Sequence, residues 1–532
     1  MTALASLHST LSAHAIVLPV VLPLVAGALL LLLEARRSRW ATAVSLGATA
    51  LLLMVTLLLL KRADSGAVQA YLVGNWQAPW GIALALDRLA ALMLVLTAAV
   101  GLVALVYASG RPERFADADA SPHFHALFQF QLMGLGGAFL TSDLFNLFVF
   151  FEVLLAASCG LMLHGGGRER LRAGLHYVVF NLVGSSLFLI AVALLYGITG
   201  TLNMADMAGR MALLQGDAQF LAQAAALLLL LVFAIKAALL PLYFWLPEAY
   251  ASATAPVAAL FAILTKVGVY AVARVATLIF GLDLAAPFLP PLAMATLVLA
   301  AVGALAAHDL RGLVAYLVVG SAGTLMLALG LATEGALAAG LFYLVNSILI
   351  TATWFLIADR LALARGTAGR LVPLPLAYGW APLGLAFLFA AVAVAGLPPL
   401  AGFMGKAMLL QAAGQTAWAA SAVACVLGSS LAVMVALARA GSTLFWEPSP
   451  VAVTQPLAAT ERPAPAHTVA LLALLAAVAA CAVAAGPLAT YTGATARQLM
   501  ERTPYIDAVL GARPVPAALD VRKAMRDRGD LK

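Results

Sequence analysis

The sequence predicts an all-α integral membrane protein with about fourteen transmembrane helices, and three observations lead there. Of the 532 residues, 64% are apolar and only 10% are charged, against about 25% charged in an ordinary soluble chain. The apolar residues fall in continuous runs of about twenty, enough to cross a hydrocarbon core as helices. These runs do not alternate polar with apolar, as the strands of a membrane β-barrel must. Mean hydropathy is +1.02.

The first span, 14–33, is too long for the apolar core of a signal peptide and has no basic segment before it, so it reads as a permanent helix. Spans 42–60 and 88–107 complete an N-terminal three-helix segment within residues 1–125. Spans 126–141 and 144–163 are joined only by Ser142 and Asp143, and Asp143 suits the N-cap of the second helix. Span 175–197 follows HGGGRERLR, which resembles a phosphate loop but has no strand before it and reads as a flexible cytoplasmic hairpin. Spans 256–280, 289–307, 311–332, 337–358, 417–438 and 468–487 are uninterrupted crossings.

Two spans differ from the rest. Span 220–247 carries KAALLPLYFWLPEAY, with Pro241 and Pro247, and span 378–412 carries GLPPLAGFMGKAML, with Pro398 and Pro399. Both are too long for one crossing, and both are broken beside an intramembrane lysine. Proline has no N–H and frees the carbonyl four residues earlier, which is Ala237 in the first span and Val394 and Ala395 in the second. Such backbone is tolerated at depth only where protein or a wet cavity surrounds it. A pair of interrupted helices points to the half-units of a transporter.

Basic residues set the orientation through the positive-inside rule. With the N-terminus outside, the inside loops carry fourteen arginines and the outside loops carry only Lys61, Arg62, Arg88 and Arg210. An even number of crossings leaves the tail 488–532 outside although it holds eight Lys and Arg. The net charge of +7 therefore serves orientation and forms no nucleic-acid patch. Cys159, Cys425 and Cys481 lie in apolar spans without CxxC spacing, so neither a disulfide framework nor a metal site is expected. His123 and His125 lack a third ligand. No Ser/His/Asp set or dinucleotide fingerprint stands out, so the chain is expected to be no enzyme and to hold no redox cofactor.

The chemistry lies in the few ionisable groups at bilayer depth: Glu152, Lys236, Lys266 and Lys406. A charge there is costly, about 2.5–3.5 kcal/mol on insertion scales, and marks ion or proton paths. A lysine in a dry place gives up its proton more easily than one in water, and a nearby carboxylate opposes the loss. One acid among several lysines thus makes a proton relay with an electrostatic gate. Lys236 and Lys266 are thirty residues apart around a turn near Ala251, so they should lie at similar depth on adjacent antiparallel helices. Arg274, His176 and His308 are accessory candidates, each balanced by an interfacial or snorkelling role.

These residues sit in longer stretches. DLFNLFVFFEVLL, HGGGRERLRAGLHYVVFNLVGSSLFLI, LLYGITGTLNMADMA, KAALLPLYFWLPEAYASATAPVAALFAILTKVGVYA and GLPPLAGFMGKAMLL resemble the D-type subunit of the Mrp (Mnh or Pha) multisubunit cation/proton antiporters. The resemblance runs from about residue 75 to 445, in a superfamily shared with the proton-pumping subunits of respiratory complex I. It implies fourteen helices with two inverted five-helix repeats, 126–280 and 289–438, each with one broken helix, followed by a loop, a last helix and a basic tail in 439–532. It implies that Glu152 pairs with Lys236, that Lys266 continues the axis, and that Lys406 reaches toward an exit. Where many relatives carry His or Gln this chain has Ala322, and where many carry His it has Tyr250. His308 is a partial substitute.

The function expected is proton translocation within a Na⁺ or K⁺/proton antiporter of a bacterial plasma membrane. Its partners would be smaller hydrophobic subunits, the lipid bilayer, protons and monovalent cations. Two alternatives use the same residues differently: a redox-driven pump subunit of a complex I or hydrogenase-like assembly, and a structural membrane scaffold.

Overall fold

The computed structural model describes residues 14–33, 38–110, 123–365, 369–373, 380–446 and 464–514. Among them, eleven helices are long and apolar enough to cross a membrane, and three shorter apolar helices accompany them. The chain is a multi-pass helical membrane protein.

Helices α1 (Leu18–Leu33), α2 (Ser38–Ala63) and α3 (Arg88–Ser109) open the chain. Between α2 and α3 an antiparallel hairpin, β1 (Gln69–Leu72) with β2 (Ala83–Leu86), was not anticipated from sequence. Its eight residues are lost among the surrounding apolar runs. Helices α4 (Phe124–Leu140) and α5 (Leu144–Leu163) follow, with Asp143 as the N-cap of α5, its Oδ1 accepting from the Asn146 N–H at 2.7 Å. Next come α6 (Arg168–Thr199), a short amphipathic α7 (Met204–Met211) and α8 (Gly216–Lys236).

The first break lies between α8 and α9 (Trp245–Ser252). It spans 237–244 and contains Pro241. Pro247, expected to be a second breaking residue, is instead the third residue of α9, where the first turn has no intrahelical partner for its missing N–H. Helices α10 (Ala255–Phe261) and α11 (Leu264–Val275) make the next crossing, a single π-helical turn extending α11 to Phe280. Then come α12 (Leu289–Ala306), α13 (Leu310–Gly330) and α14 (Glu334–Arg365). The second break, 396–400, separates α15 (Trp380–Ala395) from α16 (Ala401–Ala413) and contains Pro398 and Pro399. Residues 378 and 379, placed at the start of that span from sequence, lie outside the described residues. Helices α17 (Ala419–Phe445), α18 (Pro465–Val483), α19 (Ala485–Met500) and α20 (Arg502–Leu510) end the described chain.

Two helices are longer than their apolar runs. α6 and α14 are 32 residues each and carry their helical hydrogen bonding out through Arg168–Arg172 and Arg360–Arg365. α14 is buried along its apolar window and forms the centre of the bundle, whereas α2 and α17 leave most of theirs exposed. On the arginine-rich side, the Arg170 Nε donates to the Ser252 carbonyl at 2.8 Å and Arg311 to the Ala253 carbonyl at 3.2 Å, so two cations cap the negative end of α9. On the opposite side the tail folds back. Gln498 bonds the Arg88 N–H and the Gly66 carbonyl, Tyr491 donates to the Arg88 carbonyl, and Arg497 pairs with Glu334 at 3.2 Å. The described part of the tail thus lies against the start of α3 and the loop that leads into the hairpin.

Candidate functional site

The ionisable groups at depth sit where helices stop or touch. Lys236 is the last residue of α8. Its ammonium donates to the Asn181 Oδ1 at 3.2 Å and lies 5.5 Å from the centre of the Phe151 ring, a cation–π distance. Glu152 follows Phe151 on α5, and its carboxylate accepts a short hydrogen bond from the Ser185 hydroxyl. The direct Glu152–Lys236 pair implied by resemblance is absent from the ion pairs of the described residues. Lys236 is bonded to Asn181 and Glu152 to Ser185. Asn181 and Ser185 are one turn apart on α6 and share a face, so one helix presents an amide to the amine and a hydroxyl to the acid.

The first break is held open by specific bonds. The Leu240 N–H donates to the Thr296 hydroxyl of α12 at 3.0 Å, and the Trp245 Nε1 donates to the Ile235 carbonyl at 3.1 Å. A cavity of about 30 Å³ adjoins Lys236, lined by Phe151, Tyr177, Asn181, Trp245 and Val267 among others. That is room for about one or two waters, with Lys236 and Asn181 as polar partners. Tyr250, where a histidine was the alternative, is buried and donates to the Phe261 carbonyl at 2.8 Å, tying α9 to α10.

α11 passes directly against the break. A Cβ on Gly268 would stand 2.6 Å from the Ala237 nitrogen, so only glycine permits this approach. Lys266, two residues earlier, is therefore level with Lys236. It is fully buried, and its ammonium donates to the Ser321 Oγ at 2.6 Å and the Thr265 Oγ1 at 3.3 Å. Ser321 sends its own proton to the Val318 carbonyl at 2.7 Å, which leaves its oxygen free to accept from the lysine. Ala322, beside it, is fully buried.

Lys406 lies one and a half turns into α16 and reaches back across the second break. Its ammonium donates to the Ala395 carbonyl at 3.0 Å, the Val394 carbonyl at 3.3 Å and the Ser430 Oγ at 2.9 Å. Those carbonyls are the two that Pro398 and Pro399 free.

The accessory candidates lie elsewhere. Arg274 is buried in an ion pair with Asp87, 2.6 Å, and lies over the rings of Tyr270 and Tyr505. Asp87 also caps α3 by accepting from the Ala90 N–H at 2.9 Å. Arg274 therefore does not snorkel. His176 is half-exposed and faces Glu248 at 3.3 Å. His308 is exposed at the α12–α13 turn, its carbonyl accepting from the Leu371 N–H. None of the three touches Glu152 or a site lysine.

Sequence reasoning missed Asn181, Ser185, Ser321 and Ser430. The first two were visible as a lone amide and paired hydroxyls in FNLVGSS within an apolar span. Ser321 and Ser430 were not distinguishable from the small residues around them.

Residues 141–432 match the family model described as NADH:quinone oxidoreductase/Mrp antiporter, TM. The chain is 39% identical over 539 residues to the probable K(+)/H(+) antiporter D subunit of Rhizobium meliloti (strain 1021), covering 94% of this chain and 98% of the relative. It is 36% identical to the Na(+)/H(+) antiporter D subunit of Bacillus subtilis (strain 168), over 81% of this chain and 87% of the relative. A chain of the solved Mrp complex from Dietzia sp. DQ12-45-1b superposes with a TM-score of 0.84 at 28% identity, covering 94% of this chain and all of that one.

Proposed function

We propose, from the premise that this chain belongs to the D-subunit family of Mrp-type antiporters within the wider NADH:quinone oxidoreductase/Mrp antiporter membrane family, that it carries protons for monovalent cation/proton exchange. It does so as one member of a hetero-oligomeric complex in a bacterial plasma membrane. The organisation behind this reading is fourteen crossings arranged as two inverted repeats, 126–280 and 289–438.

The observation that carries the reading is the set of partners of the three lysines. Each ammonium is held by neutral acceptors: an amide at Lys236, hydroxyls at Lys266, carbonyls and a hydroxyl at Lys406. Neutral acceptors hold either charge state of an amine, whereas a carboxylate partner would lock the ammonium. A proton arriving at Glu152 changes the electrostatic field at Lys236 through space. Release from Lys236 finds water space in the adjoining cavity, then Lys266 at the same depth, and finally Lys406. A charge crossing the membrane field is worth about 2.3 kcal/mol per 100 mV, enough to drive cation efflux when the fluxes are coupled.

The redox-pump alternative shares this axis, since the family model spans both kinds of complex. Near full-length likeness to D subunits of antiporters favours the antiporter. The test is cation-dependent proton exchange in everted vesicles carrying the whole complex, comparing Na⁺ with K⁺. Lys236→Ala is expected to lower exchange about a hundredfold or more, as loss of a proton-transfer group does, with assembly unchanged. Normal exchange in that variant would overturn the relay.

A further inference from the structure

The second break differs from the other lysine sites. Lys236 and Lys266 are held by side-chain oxygens and a ring, but Lys406 is held by main-chain carbonyls at the end of a half-helix. We propose that the oxygen cradle of the Val394 and Ala395 carbonyls and the Ser430 hydroxyl is a monovalent-cation site, occupied in alternation by the Lys406 ammonium and by a dehydrated Na⁺ or K⁺. This rests on the proton-relay reading and adds to it the place where the transported cation meets the proton path.

Ammonium and alkali cation carry the same charge and seek the same oxygen ligands. Rings of carbonyl oxygens replace the hydration shell of K⁺ in channels. Unwound carbonyls and half-helix C-termini coordinate cations in transporters. Here the C-terminus of α15 supplies both, and its dipole adds partial negative charge. The three oxygens lie 2.9–3.3 Å from the lysine nitrogen, so all three ammonium protons are satisfied. The amine already sits where a bare cation would sit.

Two further features belong to the site. Gly396 has φ +81°, and a Cβ there would come within 2.8 Å of the Lys406 side chain and 3.1 Å of its nitrogen, so the break is shaped around the amine. Asn346 of α14, almost fully buried, has an amide oxygen without a hydrogen-bond partner and packs at Gly402, one turn before Lys406 on the same face of α16. It is an unsatisfied buried acceptor on the helix that packs against α16. No carboxylate pairs with Lys406 among the described residues, so an ammonium and an alkali cation held together in this neutral cradle would repel each other without compensation. Proton and cation are thereby made to compete.

The other titratable groups on the elements packed against α16 are few. Tyr343 of α14 lies against Gly405, and Cys481 of α18 packs with Phe342 and Ala401. Cys425 of α17 lies within the apolar core. Glu334 and Asp359, near opposite ends of α14, are engaged by Arg497 and Arg311, and Arg439 of α17 donates to the Leu305 carbonyl. His467, near the start of α18, stacks on Tyr107.

The experiment is equilibrium binding of radioactive Na⁺ and Rb⁺ to the purified whole complex at several pH values, for wild type, Lys406→Met and Ser430→Ala. Native gels verify assembly, and exchange by Lys236→Ala vesicles is measured alongside. Binding needs no turnover, so a variant inactive in transport still reports. In wild type, affinity for one class of cation sites should fall as the pH falls. Lys406→Met should bind more tightly in acid and lose that pH dependence, and Ser430→Ala should weaken binding about two- to tenfold, as for one lost oxygen contact. Wild-type affinity and pH slope in both variants would overturn the cation cradle. If Lys236→Ala stops exchange in that case, the relay survives alone. If Lys236→Ala exchanges normally, the relay falls and the binding data judge the cradle by themselves.

Discussion

Ser321 shows how a single residue decides what a buried lysine is bonded to. Its hydroxyl proton is committed to the Val318 carbonyl, so its oxygen faces Lys266 as an acceptor. Ser321→Ala leaves the buried ammonium only the longer Thr265 contact. Exchange rate should fall about two- to tenfold, the worth of one net hydrogen bond, while Ser321→Thr retains most of it. Initial rates of cation-induced ΔpH collapse in vesicles check this. A second titration lies outside the spans. Burial raises the Asp143 carboxyl from 3.8 to about 6, opposed by the N–H groups it caps. The folded state therefore binds this proton more tightly than the unfolded chain. That contribution to stability grows as the pH falls from about 6 toward 3.8, and above about 6 the cost of burying the carboxylate is carried in full. Asp143→Asn keeps a capping oxygen and removes the charge. Thermal unfolding of the purified complex should show the variant gaining on wild type above about pH 6, and the gain disappearing in acid.

At the scale of elements, the breaks depend on close packing as much as on proline. Gly268 is the point where α11 meets the unwound end of α8, 2.6 Å from the Ala237 nitrogen for any added Cβ. Gly268→Ala forces the helices apart and should cost about 1–3 kcal/mol, as overpacking does. It should also separate Lys236 from Lys266, so exchange falls further than the amount of assembled complex. Quantified immunoblots against vesicle exchange rates distinguish the two effects. The breaks themselves were legible in the sequence because Pro241, Pro398 and Pro399 each announce lost backbone bonds in apolar surroundings. Pro247 misled for a physical reason: the first turn of a helix has no partner for that N–H anyway. The hairpin between α2 and α3 had no such signal, since its partner strand is chosen by tertiary contact.

Across the whole molecule, the Asp87–Arg274 pair joins the start of α3 to the end of α11, and Tyr505 of the tail closes over it. Both side chains are at most 4% exposed. Asp87→Asn strands a buried guanidinium and should cost about 3–5 kcal/mol. Replacing both members, with Arg274→Met, should recover much of that loss. Detergent melting curves of the complex, with the double variant between the single variant and wild type, are the expected result. If the pair only bridged the surface, both variants would melt near wild type. The same contact ties the described part of the tail to the bundle by tertiary packing.

The sequence by itself determined the multi-pass membrane class and the two proline-marked breaks, and it singled out four ionisable residues in apolar surroundings. Each of these follows from local chemistry: run length against bilayer thickness, proline against hydrogen bonding, charge against hydrocarbon. Only the tertiary structure decided what those charges touch. Glu152 takes its hydrogen bond from Ser185 and acts on Lys236 through space, Lys266 meets Ser321 across to α13, and Lys406 turns back onto the carbonyls of its own broken helix. Serines and an asparagine look ordinary in sequence. Their role comes from which helix faces approach, and that is set by packing between residues far apart in the chain.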